Sequence, residues 1–330
     1  MQKKREPWVD IAKGLLILGV VYYHMNTILP DSCHIDHPVF EKLYNAHISY
    51  TVFFMPAFFV LTGYCSNFSR SFKEFLFANA KGILVPMVVL NVIPCLLSFN
   101  VEALHYLVDW RNWLFGLSFW FLPSLFLTKL LFWGIVHSTD NVWCAFCIAA
   151  ICFVTAFLVS HFDVGVNYWY WKSSLAFVLF MQVGHFLRRC SSFALVCTVG
   201  ACIYLVTFPI WYWLYGLHWP IIGFDVHCKW SEVVPYLIAS MSGCLLVMRI
   251  ATRISTQPVL EYVGKASLVI YCSHWFIAQH LSNYFSWVIM PDSTGRAALF
   301  YLVSVGMAVV AGCFYYRVLN TRYLKWMIGK

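Results

Sequence analysis

Ten apolar runs, each near the length of a membrane-spanning helix, divide this chain of 330 residues. A helix of about 20 apolar residues crosses the hydrocarbon core of a bilayer. The runs lie near residues 8–29, 47–66, 82–99, 113–136, 142–160, 170–187, 193–214, 232–249, 266–289 and 297–318. The connections between them are too short for an extramembrane domain. The sequence therefore predicts an all-α, polytopic membrane helix bundle of about ten helices, forming a single domain over residues 1–330.

The composition is typical of a membrane protein. Charged residues make up 11% of the chain, whereas they make up about 25% of a soluble domain. The net charge of +8 does not indicate a nucleic-acid partner, because the cations lie between apolar runs instead of forming one basic face. Most cysteines lie inside apolar runs and are interpreted as small apolar residues. Cys33 and Cys228 lie in polar connections, and the sequence leaves open whether they form a disulfide.

The distribution of positive charge predicts the orientation of the chain. An even number of spans places both termini on the same side of the membrane. That side then carries sixteen Lys and Arg residues, and the opposite side carries five. Because cytoplasmic loops are enriched in Lys and Arg, both termini are predicted to be cytoplasmic.

The first apolar run contains three ionisable residues on one helical face: Asp10, Lys13 and His24. A helix advances about 100° and 1.5 Å per residue, so His24 lies about three turns and roughly 16 Å beyond Lys13. Asp10 precedes Lys13 by three residues, which places the two side chains within contact distance. Ionisable groups are costly in hydrocarbon, so this polar stripe requires a structural or a chemical reason.

Two interpretations of the stripe remain open on spacing alone. In the first, Asp10 and Lys13 form an interfacial ion pair, and His24 is hydrogen-bonded near the opposite headgroup region. In the second, the cation near the cytoplasm holds a large anionic ligand. His24 then acts as a general base, because neutral imidazole is suited to that role near pH 7.

A series of motifs resembles the acyltransferase-3 family of integral membrane acyltransferases, and most closely its fucose 4-O-acetylase-like branch. The stretch DIAKG, followed by nine residues and a histidine, is similar to the first helix of that family. Further similar motifs follow in the family's order: FFMPAFFVLTGY (53–64), LVP (84–86), FWFLPSLF (119–126), VGHFLRR (183–189) and YVGKASLVIYCSH (262–274).

The resemblance implies transfer of an acyl group, most commonly acetyl, from cytoplasmic acyl-CoA to a hydroxyl of a cell-surface or lipid-linked glycan sugar. It implies a multi-pass protein of a bacterial inner membrane whose partners are acyl-CoA (acetyl-CoA as donor substrate), a carbohydrate acceptor and membrane lipids. The resemblance assigns catalysis to His24, CoA binding to Asp10, Lys13 and Lys81, and acceptor binding to Trp120, Tyr271 and His274. No metal is expected, because His34 and His37 share a loop but lack further ligands at a suitable spacing.

Two positions depart from the family pattern. Relatives often carry several cations just before the third-span proline, whereas this chain has Lys81 alone there. Phosphate binding is therefore expected to depend on Lys13, Lys81 and nearby Arg70 or Lys73. Phe54 occupies the position before the Met-Pro pair at which some relatives have a histidine. An acceptor contact that this histidine makes in relatives is therefore in doubt for this chain.

Two alternatives to an acyltransferase remain. A membrane transporter or flippase without acyl transfer would also have kinked spans and buried ionisable groups, although no inverted or parallel halves are visible in the sequence. A non-catalytic membrane scaffold would leave the polar stripe unexplained.

Overall fold

The computed structural model describes residues 6–33, 37–97, 101–215, 221–222, 226–227, 229–254 and 256–330. The helices and strands are α1 (Pro7–Cys33), α2 (Pro38–Cys65), α3 (Phe72–Asn79), α4 (Val85–Leu97), α5 (Val101–Val108), α6 (Trp110–Leu114), α7 (Phe121–Ser138), α8 (Val142–His161), α9 (Trp171–Leu187), α10 (Phe193–Tyr215), β1 (Ile221–Ile222), β2 (Val226–His227), α11 (Trp230–Ile254), α12 (Pro258–Ile289) and α13 (Thr294–Leu319). The two short strands pair antiparallel, with Ile221 opposite His227.

Seven helical segments within the described ranges are long and apolar enough to cross a membrane. They are Pro7–Pro30, Phe72–Leu96, Phe121–Ser138, Val142–His161, Phe193–Trp213, Trp230–Ile254 and Thr294–Leu319. The predicted run near 47–66 falls on α2, whose described apolar stretch, Val52–Cys65, has fewer than 18 residues. The runs near 170–187 and 266–289 fall on α9 and α12, which are not among the seven segments found in the described residues. The all-α membrane fold is therefore confirmed. The number of spans and the cytoplasmic position of the termini stay predictions.

The contacts of the chain define two compact units. Unit 1 comprises the described residues of Met1–Phe54, Cys197–Trp219 and Ser242–Thr321. Unit 2 comprises those of Met55–Val196, Pro220–Met241 and Arg322–Lys330. The single domain over 1–330 stays a prediction.

Unit 1 contains a very close contact between α1 and α12. A Cβ atom on Gly14 would overlap the backbone carbonyl of Leu260, and one on Gly264 would overlap the backbone carbonyl of Asp10. Each glycine therefore lies against the backbone of the other helix. Small residues stabilise membrane helix pairs in this way, because close backbone approach increases van der Waals contact where lipid removes the hydrophobic driving force.

Helices α1 and α12 run parallel from this contact. Ten residues after Gly14, the ring of His24 lies beside the ring of His274, which follows Gly264 by the same number of residues. Two parallel helices that start from one crossing point keep the same axial rise, so residues at equal offsets remain at the same level. The glycine contact thus determines which residues of the two helices face each other further along the pair.

Helix α13 packs against both α1 and α12 in unit 1. The fully buried Tyr301 donates a hydrogen bond of 2.6 Å from its hydroxyl to the carbonyl of Tyr22, and the two rings meet edge to face at 5.1 Å. Gly312 allows α13 to approach Ile270 of α12. The hydrogen bond from Tyr301 therefore fixes the backbone of α1 two residues before His24.

Unit 2 uses the same glycine device between α2 and α9. A Cβ on Gly63 would overlap the carbonyl of Met181, and one on Gly184 would overlap the carbonyl of Val60. Hydroxyl groups connect α9 to α7, since Ser174 Oγ lies 3.2 Å from Ser124 Oγ and Thr128 Oγ1 donates to the carbonyl of Ser174. Polar side chains that bond across helices in this way stabilise packing in a membrane.

The glycine contact of unit 1 predicts a specific sensitivity to substitution. Gly264→Ala should reduce the free energy of unfolding by about 1–3 kcal/mol, because the added methyl group has only backbone to displace. Gly306→Ala on α13 is the matched control, since no atom lies within 4 Å of a Cβ at that position. Equilibrium denaturation of both variants in detergent–lipid bicelles measures the difference. Equal stability of the two variants would contradict the close contact.

Candidate active site

The polar stripe of the first apolar run lies on one uninterrupted helix, α1. Pro7 begins this helix, a position where the missing N–H of proline costs nothing. Lys13 and His24 are both half-buried, and the continuous helix places them about 16 Å apart along its axis. Asp10 is only 2% exposed and interacts with other groups of the protein. Its predicted contact with Lys13 stays a prediction.

The structure brings His24 of α1 and His274 of α12 together. Their ring centroids are 5.1 Å apart, and the ring planes are tilted by 40°. Trp275 meets the His24 ring edge to face at 5.6 Å, and Tyr23 does so at 5.3 Å. His24 is half-buried, whereas His274 is only 4% exposed. Two of the predicted site residues thus form one cluster in unit 1.

The backbone determines the tautomer of His274. Its Nδ1 lies 2.8 Å from the carbonyl oxygen of Tyr271 and 3.1 Å from that of Ile270. Carbonyl oxygens only accept hydrogen bonds, so Nδ1 carries the proton and Nε2 carries a lone pair. Nε2 is buried and has no hydrogen-bond partner within the part of the chain that the structure describes. A buried imidazole therefore presents an unused acceptor beside His24.

Tyr271, predicted to bind the acceptor, belongs to the same helix turn. Its ring centroid lies 6.2 Å from that of His274, and its carbonyl accepts the Nδ1–H bond. The side chain is half-buried. Tyr271 therefore contributes a backbone group that orients His274, besides any contact made by its phenol.

Trp120, also predicted to bind the acceptor, belongs to unit 2. It immediately precedes α7 and is half-buried. Its ring stacks on Phe177 at 6.3 Å and meets Tyr170 edge to face at 6.4 Å. The surroundings of Trp120 are thus an aromatic cluster at the beginning of α7 and α9.

Lys81, predicted to bind CoA, lies in a π-helical turn of unit 2 that joins α3 to α4, Ala80–Leu84. Its side chain is exposed. A Cβ on Gly329 would lie 2.6 Å from the carbonyl oxygen of Lys81, so the C-terminal 3-10 turn, Lys325–Ile328, ends against this π turn. Single π turns inside helices occur frequently at functional sites.

A cavity of about 510 Å³ in unit 1 lies on the other side of α1. Leu15, Leu18 and Tyr22 line it from α1, and they lie roughly 140–200° around the helix from Lys13. Phe54, the residue that departs from the family pattern, also lines this cavity. Because these residues lie on the opposite face of α1, the cavity is separate from the face that carries His24. The lining of the cavity is mainly apolar.

Two questions raised by the sequence concern residues that the structure does not describe in full. They are whether Cys33 and Cys228 form a disulfide and whether His34 and His37 belong to a metal site. His34 and Cys228 lie outside the described ranges, and so does the side chain of Cys33. Whether Cys33 and Cys228 form a disulfide therefore stays open. Within the described residues, no three His, Cys, Asp or Glu side chains form a group that could hold a metal ion.

Sequence reasoning did not predict that His24 and His274 meet, although a signal for it exists. Each histidine follows a glycine by ten residues, in Gly14–His24 and in Gly264–His274. The shared spacing is what two parallel helices need when the glycines form their contact. Tyr23 and Trp275, which contact His24 from neighbouring positions, carry no comparable signal in the sequence.

Comparison with known proteins gives one match. A family model described as an acyltransferase domain matches residues 6–318. This range contains every candidate residue, from Asp10 to His274. No curated protein and no solved structure is similar enough to this chain to be matched.

The hydrogen bonds of His274 predict its NMR signature. In protein labelled with ¹⁵N-histidine, His274 at neutral pH should have a protonated Nδ1 and an unprotonated Nε2, because two backbone carbonyls accept from Nδ1. His161, which is exposed at the end of α8, provides the comparison. The His274→Gln variant assigns the signal. A protonated Nε2 with a free Nδ1 would contradict the arrangement.

Proposed function

Since this chain belongs to the acyltransferase-3 family and is a multi-pass membrane acyltransferase, we propose that it transfers an acyl group from acyl-CoA to a sugar hydroxyl. The donor is acetyl-CoA, used from the cytoplasmic side of a bacterial inner membrane. The acceptor is a sugar of a cell-surface or lipid-linked glycan. The observation that carries this proposal is the contact of His24 with His274, since neutral histidines on packed helices suit general-base chemistry.

His24 acts as the general base in the proposed reaction. It removes the proton of the acceptor hydroxyl while the oxygen attacks the thioester carbon. The new carbon–oxygen bond replaces the carbon–sulfur bond, and the proton passes from His24 to the departing CoA sulfur. The half-buried position of His24 supports this role, because the ring is accessible on one side and packed against Tyr23 and Trp275 on others.

His274 orients His24 and stabilises its protonated form. The separation of the ring centroids, 5.1 Å, leaves room for a nitrogen–nitrogen hydrogen bond of about 2.9 Å. In the proposed reaction His24 turns to donate a hydrogen bond to His274 Nε2, which has no partner among the described residues of the structure. The other nitrogen of His24 then faces the acceptor hydroxyl. His274 is neutral, and backbone carbonyls fix its orientation. In this proposal it takes the place that a buried carboxylate has beside the histidine of a catalytic triad.

Lys13 of unit 1 binds the phosphate groups of CoA in this proposal, and the role of Lys81 of unit 2 in CoA binding is a separate prediction. The roughly 16 Å between Lys13 and His24 along α1 is comparable to an extended pantetheine arm. A half-buried ammonium group can form charge-assisted hydrogen bonds with phosphate, which are stronger than those between neutral groups. Lys81 and Lys325 are exposed on the two turns that meet at Gly329, and they add positive charge in unit 2.

The transporter or flippase alternative receives less support. It explains polar groups inside the membrane, but it gives no reason for a histidine pair whose buried member presents a free acceptor. The match to an acyltransferase domain over residues 6–318 also favours the enzyme.

The general-base role predicts a selective loss of activity. His24→Ala should lower acyl transfer by roughly 10²-fold or more, since that is the usual contribution of a positioned base. Thiol release from acetyl-CoA in proteoliposomes that contain a glycan extract measures the rate. His280→Ala, which removes an exposed histidine of α12, is the matched control and should retain the wild-type rate. A His24→Ala enzyme as active as that control would remove His24 from the mechanism.

The phosphate-binding role predicts an effect on the donor alone. Lys13→Gln and Lys81→Gln should each raise the KM for acetyl-CoA roughly tenfold, because one charge-assisted hydrogen bond contributes about 1.5 kcal/mol. The KM for the acceptor should change little. Lys42→Gln, which neutralises an exposed cation on α2, is the control. Unchanged donor KM in both variants would exclude these lysines from CoA binding.

A further inference from the structure

The cavity of about 510 Å³ in unit 1 lies between α1 and α11. Helix α1 lines it from Leu15 to Tyr22 and α11 lines it from Leu246 to Ile250, while α13 contributes Val305. Protein interiors contain few voids larger than a water molecule. A space of this size among packed helices therefore requires an explanation, and we call it the α1–α11 cavity.

Two neighbouring phenylalanines of α2 act as a spacer between α1 and α11. A Cβ on Gly19 of α1 would overlap the ring of Phe54, and a Cβ on Gly243 of α11 would overlap the ring of Phe53. The two rings meet edge to face at 5.2 Å. Each ring therefore lies directly against the backbone of a different helix. The α1–α11 cavity is the space left beside this spacer, since both rings line it.

The lining of the α1–α11 cavity suits hydrocarbon and not a polar ligand. Among the described residues that line it, only Tyr22 carries a polar side-chain atom. That hydroxyl donates a hydrogen bond of 3.2 Å to the carbonyl of Leu43, so it is already used inside the protein. A buried water needs about two to four polar partners, and a sugar or CoA also needs hydrogen bonds that this lining does not provide.

The α1–α11 cavity also has the location and length that a lipid tail requires. Helices α1, α11 and α13 are each long and apolar enough to cross a membrane. Ile250 is 41% exposed, so the wall of the cavity reaches the outer surface of the protein, where a membrane-spanning helix meets lipid. The stretch from Leu15 to Tyr22 extends roughly 10 Å along the α1 axis. One leaflet of a bilayer contributes about 15 Å of hydrocarbon.

An arginine lies on the face of α11 that lines the cavity. Arg253 follows Leu246 by seven residues, which is about 20° short of two full turns, so the two residues share one face. Ile250 lies between them, and Arg249 adds a second, half-buried cation. Arg253 is exposed and takes part in none of the ion pairs found among the described residues. The last turn of α11 thus carries an available guanidinium at the end of an apolar stripe.

We propose that the α1–α11 cavity holds one acyl chain of an anionic phospholipid whose phosphate binds Arg253. Guanidinium and phosphate form charge-assisted hydrogen bonds, often as a bidentate pair. Basic pockets between membrane helices bind anionic headgroups on the cytoplasmic side, and α11 ends on the side predicted to be cytoplasmic. The cavity lies on the opposite face of α1 from His24, so this lipid is neither the donor nor the acceptor of the proposed reaction.

Photolabelling of the full-length protein in nanodiscs tests this proposal without measuring acyl transfer. The probe is a phosphatidylglycerol with a diazirine in the middle of one acyl chain, and peptide mass spectrometry locates the labelled residues. We expect labels within residues 15–22 and 246–250. A phosphatidylcholine probe with the same chains should label these stretches roughly fivefold less, because a cation near the membrane surface favours an anionic headgroup by about that factor.

Four variants separate the headgroup contact from the chain contact. Arg253→Gln should lower labelling by phosphatidylglycerol to the level of phosphatidylcholine. Arg317→Gln is its control, because this exposed cation of α13 lies about 120° around the helix from Val305. Ile250→Trp narrows the mouth of the cavity and should reduce labelling by both probes. Val310→Trp adds the same bulk at a position 69% exposed on α13, and it should label as the wild type does.

Three results would overturn the proposal. The first is equal labelling of the two stretches by both probes, or labels confined to other helices. The second is unchanged labelling in either Arg253→Gln or Ile250→Trp. The third comes from competition, in which excess unlabelled phosphatidylglycerol should displace the probe more effectively than a polyprenyl phosphate at the same concentration. The reverse order would assign the cavity to a lipid carrier instead of a bilayer phospholipid.

Discussion

The backbone contact between α1 and α12 is the interaction on which the candidate site depends. Lipid surrounds apolar side chains as favourably as another helix does, so two membrane helices associate through close packing and polar contacts. Gly14 and Gly264 allow backbone to meet backbone. Because the helices run parallel from that point, the same contact brings His24 to His274 ten residues later. Packing and chemistry are therefore coupled, and a change at either glycine would displace the histidine pair.

The form of the histidine pair suits its place on α1, a helix that is long and apolar enough to cross a membrane. A charged group is costly inside such a span, so a functional site there benefits from groups that can remain neutral between reaction steps. His274 meets this requirement because backbone carbonyls of its own helix hold its Nδ1 proton. Its Nε2 stays without a partner among the described residues. A buried acceptor of this kind calls for an explanation, which the hydrogen bond proposed from His24 supplies.

The hydropathy pattern predicted where the helices lie more accurately than where they begin and end. The third run was predicted near 82–99, whereas the helical segment spans Phe72–Leu96 and passes through a π turn. The apolar pattern is interrupted there by Lys73, Glu74 and Lys81. A helix can nevertheless continue through charged residues when they lie near its end. Helix α12 has 32 residues, well beyond the predicted run near 266–289. Local composition marks the apolar middle of a helix, while hydrogen bonding and packing decide where it ends.

The sequence by itself determined the all-α membrane fold, the polar face of α1 and the resemblance that pointed to an acyltransferase. These properties depend on composition and on the 3.6-residue helical period, which are both local. Only the tertiary structure decided that His24 meets His274 and that Trp120 meets Tyr170 edge to face. The residues of these two pairs are 250 and fifty positions apart. Such contacts follow from how helices pack and not from the pattern within any one helix.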